Sequence, residues 1–189
     1  MKTFVISVAT VLLTAPYSIV AAADMNSSDP IAQAVSPLPE AMRASATVVN
    51  YDAKGNPVVL RQGTSAIVCT PDQPTEGFAV SCYHKVLRAQ RDMEAKMRAE
   101  GKDAKEITAA VQAAKDSGKL QNPPMGTMMY SRSGKTEAEA HVLWVMLVPG
   151  ATAESTGLPT ERGQGTPWMM RAGTPGAHIM MPQSAPMTK

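Results

Sequence analysis

Cys69 and Cys82 are the only cysteines in this 189-residue chain. In an oxidising compartment an even pair is most simply a disulfide, here closing a loop rich in proline and glycine. A loop of that size contributes on the order of 3 kcal/mol in the chain-entropy model. The alternative is a metal site with Cys69, Cys82 and His84 as ligands. Zinc favours cysteines separated by about two to four residues, and no second cluster completes four ligands. A redox-active pair meets the same objection, because catalytic dithiols sit as Cys-x-x-Cys.

A second set of residues is soft and crowds the last third: Met125, Met128, Met129, Met146, Met169, Met170, Met180 and Met181, with His141 and His178 among them. Thioethers and imidazoles suit Cu(I). Neighbours in a strand point to opposite faces, so each Met-Met pair offers one sulfur to a given site. His178 and Met180 share a face, whereas His141 and Met146 do not. The candidate metal site is therefore His178 and Met180 with Met169 or Met170, and copper is the cofactor it would take. The competing reading needs no cofactor. Fourteen methionines stand beside two Phe, two Trp and four Tyr, so Met fills core volume that rings would otherwise occupy.

The tract Pro167–Met181 carries a third possibility. Its glycines and prolines fix an irregular backbone around Trp168, Arg171 and His178, and binding residues concentrate on such loops. In the structural alternative, Trp168 packs on the core and His178 satisfies a local hydrogen bond. Signatures of nucleophilic catalysis are missing: the chain has neither G-x-S-x-G nor H-E-x-x-H. Ser133-Gly134-Lys135-Thr136 lacks the upstream glycine of a phosphate loop, and the charged stretch Arg88 to Glu100 reads as solvated helix surface. An enzyme built around His178 or His141 ranks below a binding domain.

The elements that must position these residues follow from period and punctuation. Lys2, an apolar run from Phe4 to Leu13, and Ala21-Ala22-Ala23 make a signal peptide over 1–23, too short to span a bilayer. Its removal takes the formal charge from +2 to +1, which excludes an electrostatic nucleic-acid binder and leaves no membrane span. Residues 24–40 lack a period and are expected to form a disordered leader; 183–189 are expected to be a flexible tail. Between them, 41–182 are expected to make one domain. Strand patterns occupy 46–51, 57–61, 65–70, 78–83, 126–131, 141–148 and 177–181, with a loop rich in Gly, Thr and Pro leading to Trp168-Met169-Met170. Two helices, over 86–100 and 104–117, separate the fourth pattern from the fifth. This order predicts an α+β domain, a small largely antiparallel sheet with the helical pair packed on one face.

Leu60-Arg61-Gln62-Gly63-Thr64, Cys69-Thr70-Pro71-Asp72 and Cys82 make up one group of motifs. Gly157-Leu158-Pro159, Pro167-Trp168-Met169-Met170 and Gly173 to Pro182 make up another. In these motifs the chain resembles a group of small exported, uncharacterised bacterial proteins. The resemblance implies export and no particular activity. The sequence thus predicts a periplasmic or secreted, non-enzymatic domain that binds a partner it does not name or supports the envelope. A copper-binding protein is the alternative, and a hydrolase-type enzyme the further one.

Overall fold

The computed structural model describes residues 29–73 and 77–183. Its strands are β1 (Thr47–Tyr51), β2 (Pro57–Arg61), β3 (Ile67–Thr70), β4 (Phe78–His84), β5 (Thr127–Gly134), β6 (His141–Leu147), β7 (Trp168–Met170) and β8 (His178–Pro182). They form one sheet in the order β2-β1-β3-β4-β5-β6-β8-β7. Only β1 and β3 run parallel; every other neighbouring pair is antiparallel. The parallel step arises because β2 folds back outside β1, so the chain must cross over before β3 can pair with β1's other edge.

The turn between β1 and β2 is built by Asp52, whose Oδ1 accepts the amides of Lys54 and Asn56 at 2.8 Å each. Gly55 in that turn has φ +74°, and a Cβ there would lie 2.6 Å from the Ala95 carbonyl oxygen. Only glycine lets this hairpin tip rest against the helix that carries Ala95.

Alternation along the strands gives the sheet two apolar faces, and both are covered. On one face Val48, Ile67, Cys69, Cys82 and Tyr130 are buried against Ala34, Val35 and Leu38. Ala34 and Val35 belong to α1 (Pro30–Val35), which Asp29 caps by accepting the Ile31 amide at 2.9 Å. A second short helix, α2 (Glu40–Arg43), follows. The Tyr130 and Trp144 rings meet edge to face at 5.6 Å, and Trp144 Nε1 donates to the Pro37 carbonyl at 3.2 Å. Arg132, only 2% exposed, donates through its guanidinium to Ser36 Oγ and to the Glu137 carbonyl.

On the opposite face Val49, Val68 and Tyr83 pack with Leu87, Val86, Met129 and Leu147. Leu87 ends a single 3-10 turn, Lys85–Leu87, that feeds α3 (Arg88–Ala99). The next helix, α4 (Ala104–Asp116), opens on a reciprocal cap between Asp103 and Glu106. It packs Ile107, Val111 and Ala114 with Met93 and Met97 of α3. A fourth cluster, Val148, Met169 and Ala177 with Ile179, closes the β6-β8-β7 end beside α5 (Ala153–Thr156).

The α+β class holds, with two corrections. The sheet is large, eight strands, not small. Helical cover lies on both faces, because α1 occupies the side opposite α3. The expected leader over 24–40 is also corrected from residue 29 onward. That segment is helical at Pro30–Val35, and Ala34, Val35 and Leu38 are buried in the core because the Cys69 and Cys82 face has no other cover. The expected signal peptide at 1–23, residues 24–28 and all of the expected tail except Gln183 lie outside the described residues.

Candidate functional site

On α3 the spacing of Arg91, Glu94 and Arg98, three and four apart, puts them on one side of the helix, away from Met93 and Met97. Gly101, at φ +79°, ends the helix region and lets the chain reverse into α4. The two helices thereby form two walls of a cleft of about 340 Å³, lined by Gln90, Arg91, Glu94 and Arg98 from α3 and by Thr108 and Lys115 from α4. The third wall is the turn joining β7 to β8, which brings Arg171, Pro175 and Gly176. A second cavity of about 370 Å³ shares Arg91 and Arg98 and extends toward Tyr51, Gln73 and Ser81.

Glu94 organises the α3 wall. It is 7% exposed and accepts from Gln90 Nε2 at 2.7 Å, Arg91 Nη1 at 2.9 Å and Arg98 Nη2 at 3.4 Å. Burial alone would raise its carboxyl, but the Arg91 charge, the Gln90 hydrogen bond and Arg98 overcome this and hold it below the usual carboxylate range. Arg91 stacks over the Tyr83 ring, its Cζ 5.4 Å from the centroid. Arg91 Nε and Gln90 Oε1 are buried without a hydrogen-bond partner among the described residues. Lys115 has its ammonium held below the ordinary lysine value by burial, with Glu94 opposing and Arg171 and Arg91 adding to the effect.

Arg171 is the single non-glycine residue in the left-handed region among the described residues, at φ 55°. Its carbonyl is fixed by the Thr174 hydroxyl at 2.7 Å and the Thr174 amide at 3.2 Å. The guanidinium lies across Gly176, where an added Cβ would come 3.0 Å from Arg171 Cζ. No carboxylate pairs with it among the described residues.

No protein-family model, curated protein or solved structure matches this chain. What the cleft does must be argued from its own residues.

The residues singled out in the sequence are dispersed. Cys69 and Cys82 lie opposite each other in the β3–β4 pairing and form a disulfide. Their sulfurs are therefore not available to the alternative Cys69, Cys82 and His84 metal site. His84 Nδ1 instead accepts the Val86 amide at 3.2 Å and caps the turn before α3. Neither Trp168 nor His178 lines the cleft that holds Arg171. Trp168 is buried beneath the Arg162 guanidinium, 5.5 Å from its ring centroid, while Arg171 points to the cleft with α3 and α4.

The β7–β8 register sets Met170 opposite His178 and Trp168 opposite Met180, so Met170, His178 and Met180 share one face. Met169 faces the other side, where its sulfur accepts from the Thr156 hydroxyl at 3.0 Å, and it is withdrawn from the candidate ligand set. His178 Nδ1 lies 2.8 Å from the Gly176 carbonyl. A carbonyl only accepts, so Nδ1 is the donor in this contact, and in the neutral ring the lone pair is then on Nε2. His141 pairs with Ser133 at the far end of β6 from the position opposite His178, a separation of roughly 20 Å at strand rise. The two histidines cannot serve one site. Among the described residues no three His, Cys, Asp or Glu side chains converge as metal ligands.

Within Arg88 to Glu100, Lys96, Arg98 and Glu100 are exposed as expected, but Gln90, Arg91, Glu94 and Arg98 also line cavities. The signal for this was present. Arg91, Glu94 and Arg98 repeat at helical spacing beside Ala95 and Ala99, small residues that leave room for a neighbouring element.

Proposed function

We propose that this chain is an exported, non-enzymatic binding domain whose ligand occupies the cleft between α3, α4 and the turn 171–176. The observation that carries this reading is Arg171. A non-glycine residue in the left-handed region stores about 1–3 kcal/mol of strain, and such strain clusters at ligand clamps. Here it aims a guanidinium with no carboxylate partner among the described residues into a concave polar site. The Cys69–Cys82 disulfide supports maturation in an oxidising compartment, and no helix among the described residues is long and apolar enough to cross a membrane.

A thermal-unfolding screen of neutral, cationic and anionic small molecules tests this, run on the wild type and on Thr108→Trp, which fills the cleft. At a hundredfold excess over Kd, linkage gives about 2.7 kcal/mol, a rise of roughly 5–10 °C for a domain of this size. At least one compound class is expected to produce that rise in the wild type and not in Thr108→Trp. No shift, or a shift that survives the tryptophan, contradicts the reading.

A second reading, a copper-binding protein, is favoured by the tautomer and register at β8. His178 offers Nε2 beside Met170 and Met180, and an Nδ1–H held by a carbonyl is the usual outer-shell arrangement of a ligating imidazole. Anaerobic Cu(I) titration distinguishes it. One equivalent bound by the wild type and lost in His178→Ala supports copper; equal weak binding by both proteins removes it.

A further inference from the structure

Four cations line the cleft, Arg91, Arg98, Lys115 and Arg171, against the single carboxylate of Glu94. Glu94 is already shared among Gln90, Arg91 and Arg98, so it orients the α3 wall without reaching Lys115 or Arg171 through any hydrogen bond or ion pair. Three positive charges are thus left in excess in a site walled on three sides, in a chain whose formal net charge is only +2. Such focusing makes a well for small anions, since low-dielectric walls strengthen each contact relative to water.

The chemistry of the donors narrows the class. Arg91 donates to Glu94 and lies over the Tyr83 ring, so its guanidinium is held in place before any ligand arrives. Planar forks match the oxygens of phosphate, and Lys115 adds a point charge from the α4 wall. A monocarboxylate would leave two of the excess charges uncompensated. A cleft of about 340 Å³ enclosed by two helices and a turn suits a small molecule and not a polymer groove.

We infer that the cleft binds a small polyanion of the pyrophosphate class, gripped by Lys115 and Arg171 on one side and Arg91 and Arg98 on the other. This rests on the reading of the cleft as the ligand site. The excess of three charges matches a di- to trianion, and the left-handed backbone of Arg171 lets its guanidinium lie across the bare Cα of Gly176 at the cleft wall.

Calorimetry on the full chain with pyrophosphate, and separately with ADP, is the test. One equivalent of pyrophosphate is expected to bind near 20 mM ionic strength and to weaken about tenfold or more near 0.2 M, as screening predicts for exposed clamp charges. Tighter binding of ADP than of pyrophosphate would identify the source as a nucleotide, and the reverse a free anion. Lys115→Gln and Arg171→Gly should each weaken binding about tenfold or more, the scale of a lost hydrogen bond to a charged group. Arg171→Gly should do so with an unchanged or higher unfolding midpoint, because glycine relieves the left-handed strain. Gly176→Ala displaces the guanidinium end of a flexible side chain and should weaken binding without unfolding the protein.

No binding of either compound at about 1 mM and low salt overturns the assignment, as does equal affinity in Lys115→Gln/Arg171→Gly. Should a neutral ligand instead stabilise the wild type but not Thr108→Trp, the polyanion assignment falls and the cleft reading stands. If no compound is sensitive to Thr108→Trp, both fall.

Discussion

Cys69→Ala/Cys82→Ala is expected to lower the unfolding free energy by about 3 kcal/mol, with the native fold retained at low temperature. The bridge joins directly opposed positions of β3 and β4 and closes a loop of sequence separation 13. Its larger contribution is to the unfolded chain, which loses the freedom to open that proline-rich loop. Both half-cystines are also fully buried among Ala34, Val35, Leu38 and Tyr130, so removing two sulfurs leaves a small void in that cluster. Urea unfolding at neutral pH reads the loss as a lower midpoint. The slope should steepen slightly, because the open chain exposes more surface. A change below about 0.5 kcal/mol would mean that the bridge does not restrain the loop.

Leu38→Ala is expected to cost about 3 kcal/mol, within the usual range of 2–5 for a buried leucine. Leu38 is 2% exposed and sits between α1 and α2 in the cluster around the disulfide. Its carbonyl accepts from Arg43 Nε at 2.9 Å, while Trp144 holds the preceding Pro37 carbonyl. These contacts hold the backbone in place, so the site cannot collapse freely around a missing side chain. Since Leu38 and the bridge share neighbours, combining the substitutions should give a loss different from the sum of the two. A cost under about 1 kcal/mol in the same urea experiment would show that residues 29–45 are not docked on the sheet.

The strands were largely legible. Val48 and Val49 each find a different face because the pleat alternates, and the Asp52-to-Asn56 turn is set by a side chain that caps its own backbone. The length of the sheet was not legible, because local patterns do not say how many strands join one ladder. Residues 29–40 were misjudged for a physical reason. A helix of six residues is too short to display an apolar period, and proline, serine and alanine dominate the composition. The Asp29-Pro30 pair nevertheless had the form of a capped helix start.

The cleft was hardest to see. Arg171 drew notice for its irregular loop; of the residues grouped with it, Trp168 lies beneath Arg162, and neither Trp168 nor His178 lines the cleft. Arg91, Glu94 and Arg98 looked like solvated charge. That they line a cleft depends on α4 and the turn 171–176 arriving from distant sequence. The Met169-Met170 step was legible as a rule, one sulfur per face, while the choice of Met170 needed the pairing with His178.

Amide NMR of the isotopically labelled protein, recorded as pyrophosphate is added, addresses the cleft most directly. Perturbations are expected to concentrate at Gln90 to Arg98, Ala104 to Lys115 and Arg171 to Gly176, the three walls around the excess positive charge. Perturbations centred instead on Met170, His178 and Met180, or spread evenly over the sheet, would contradict a ligand held between α3, α4 and the strained arginine turn.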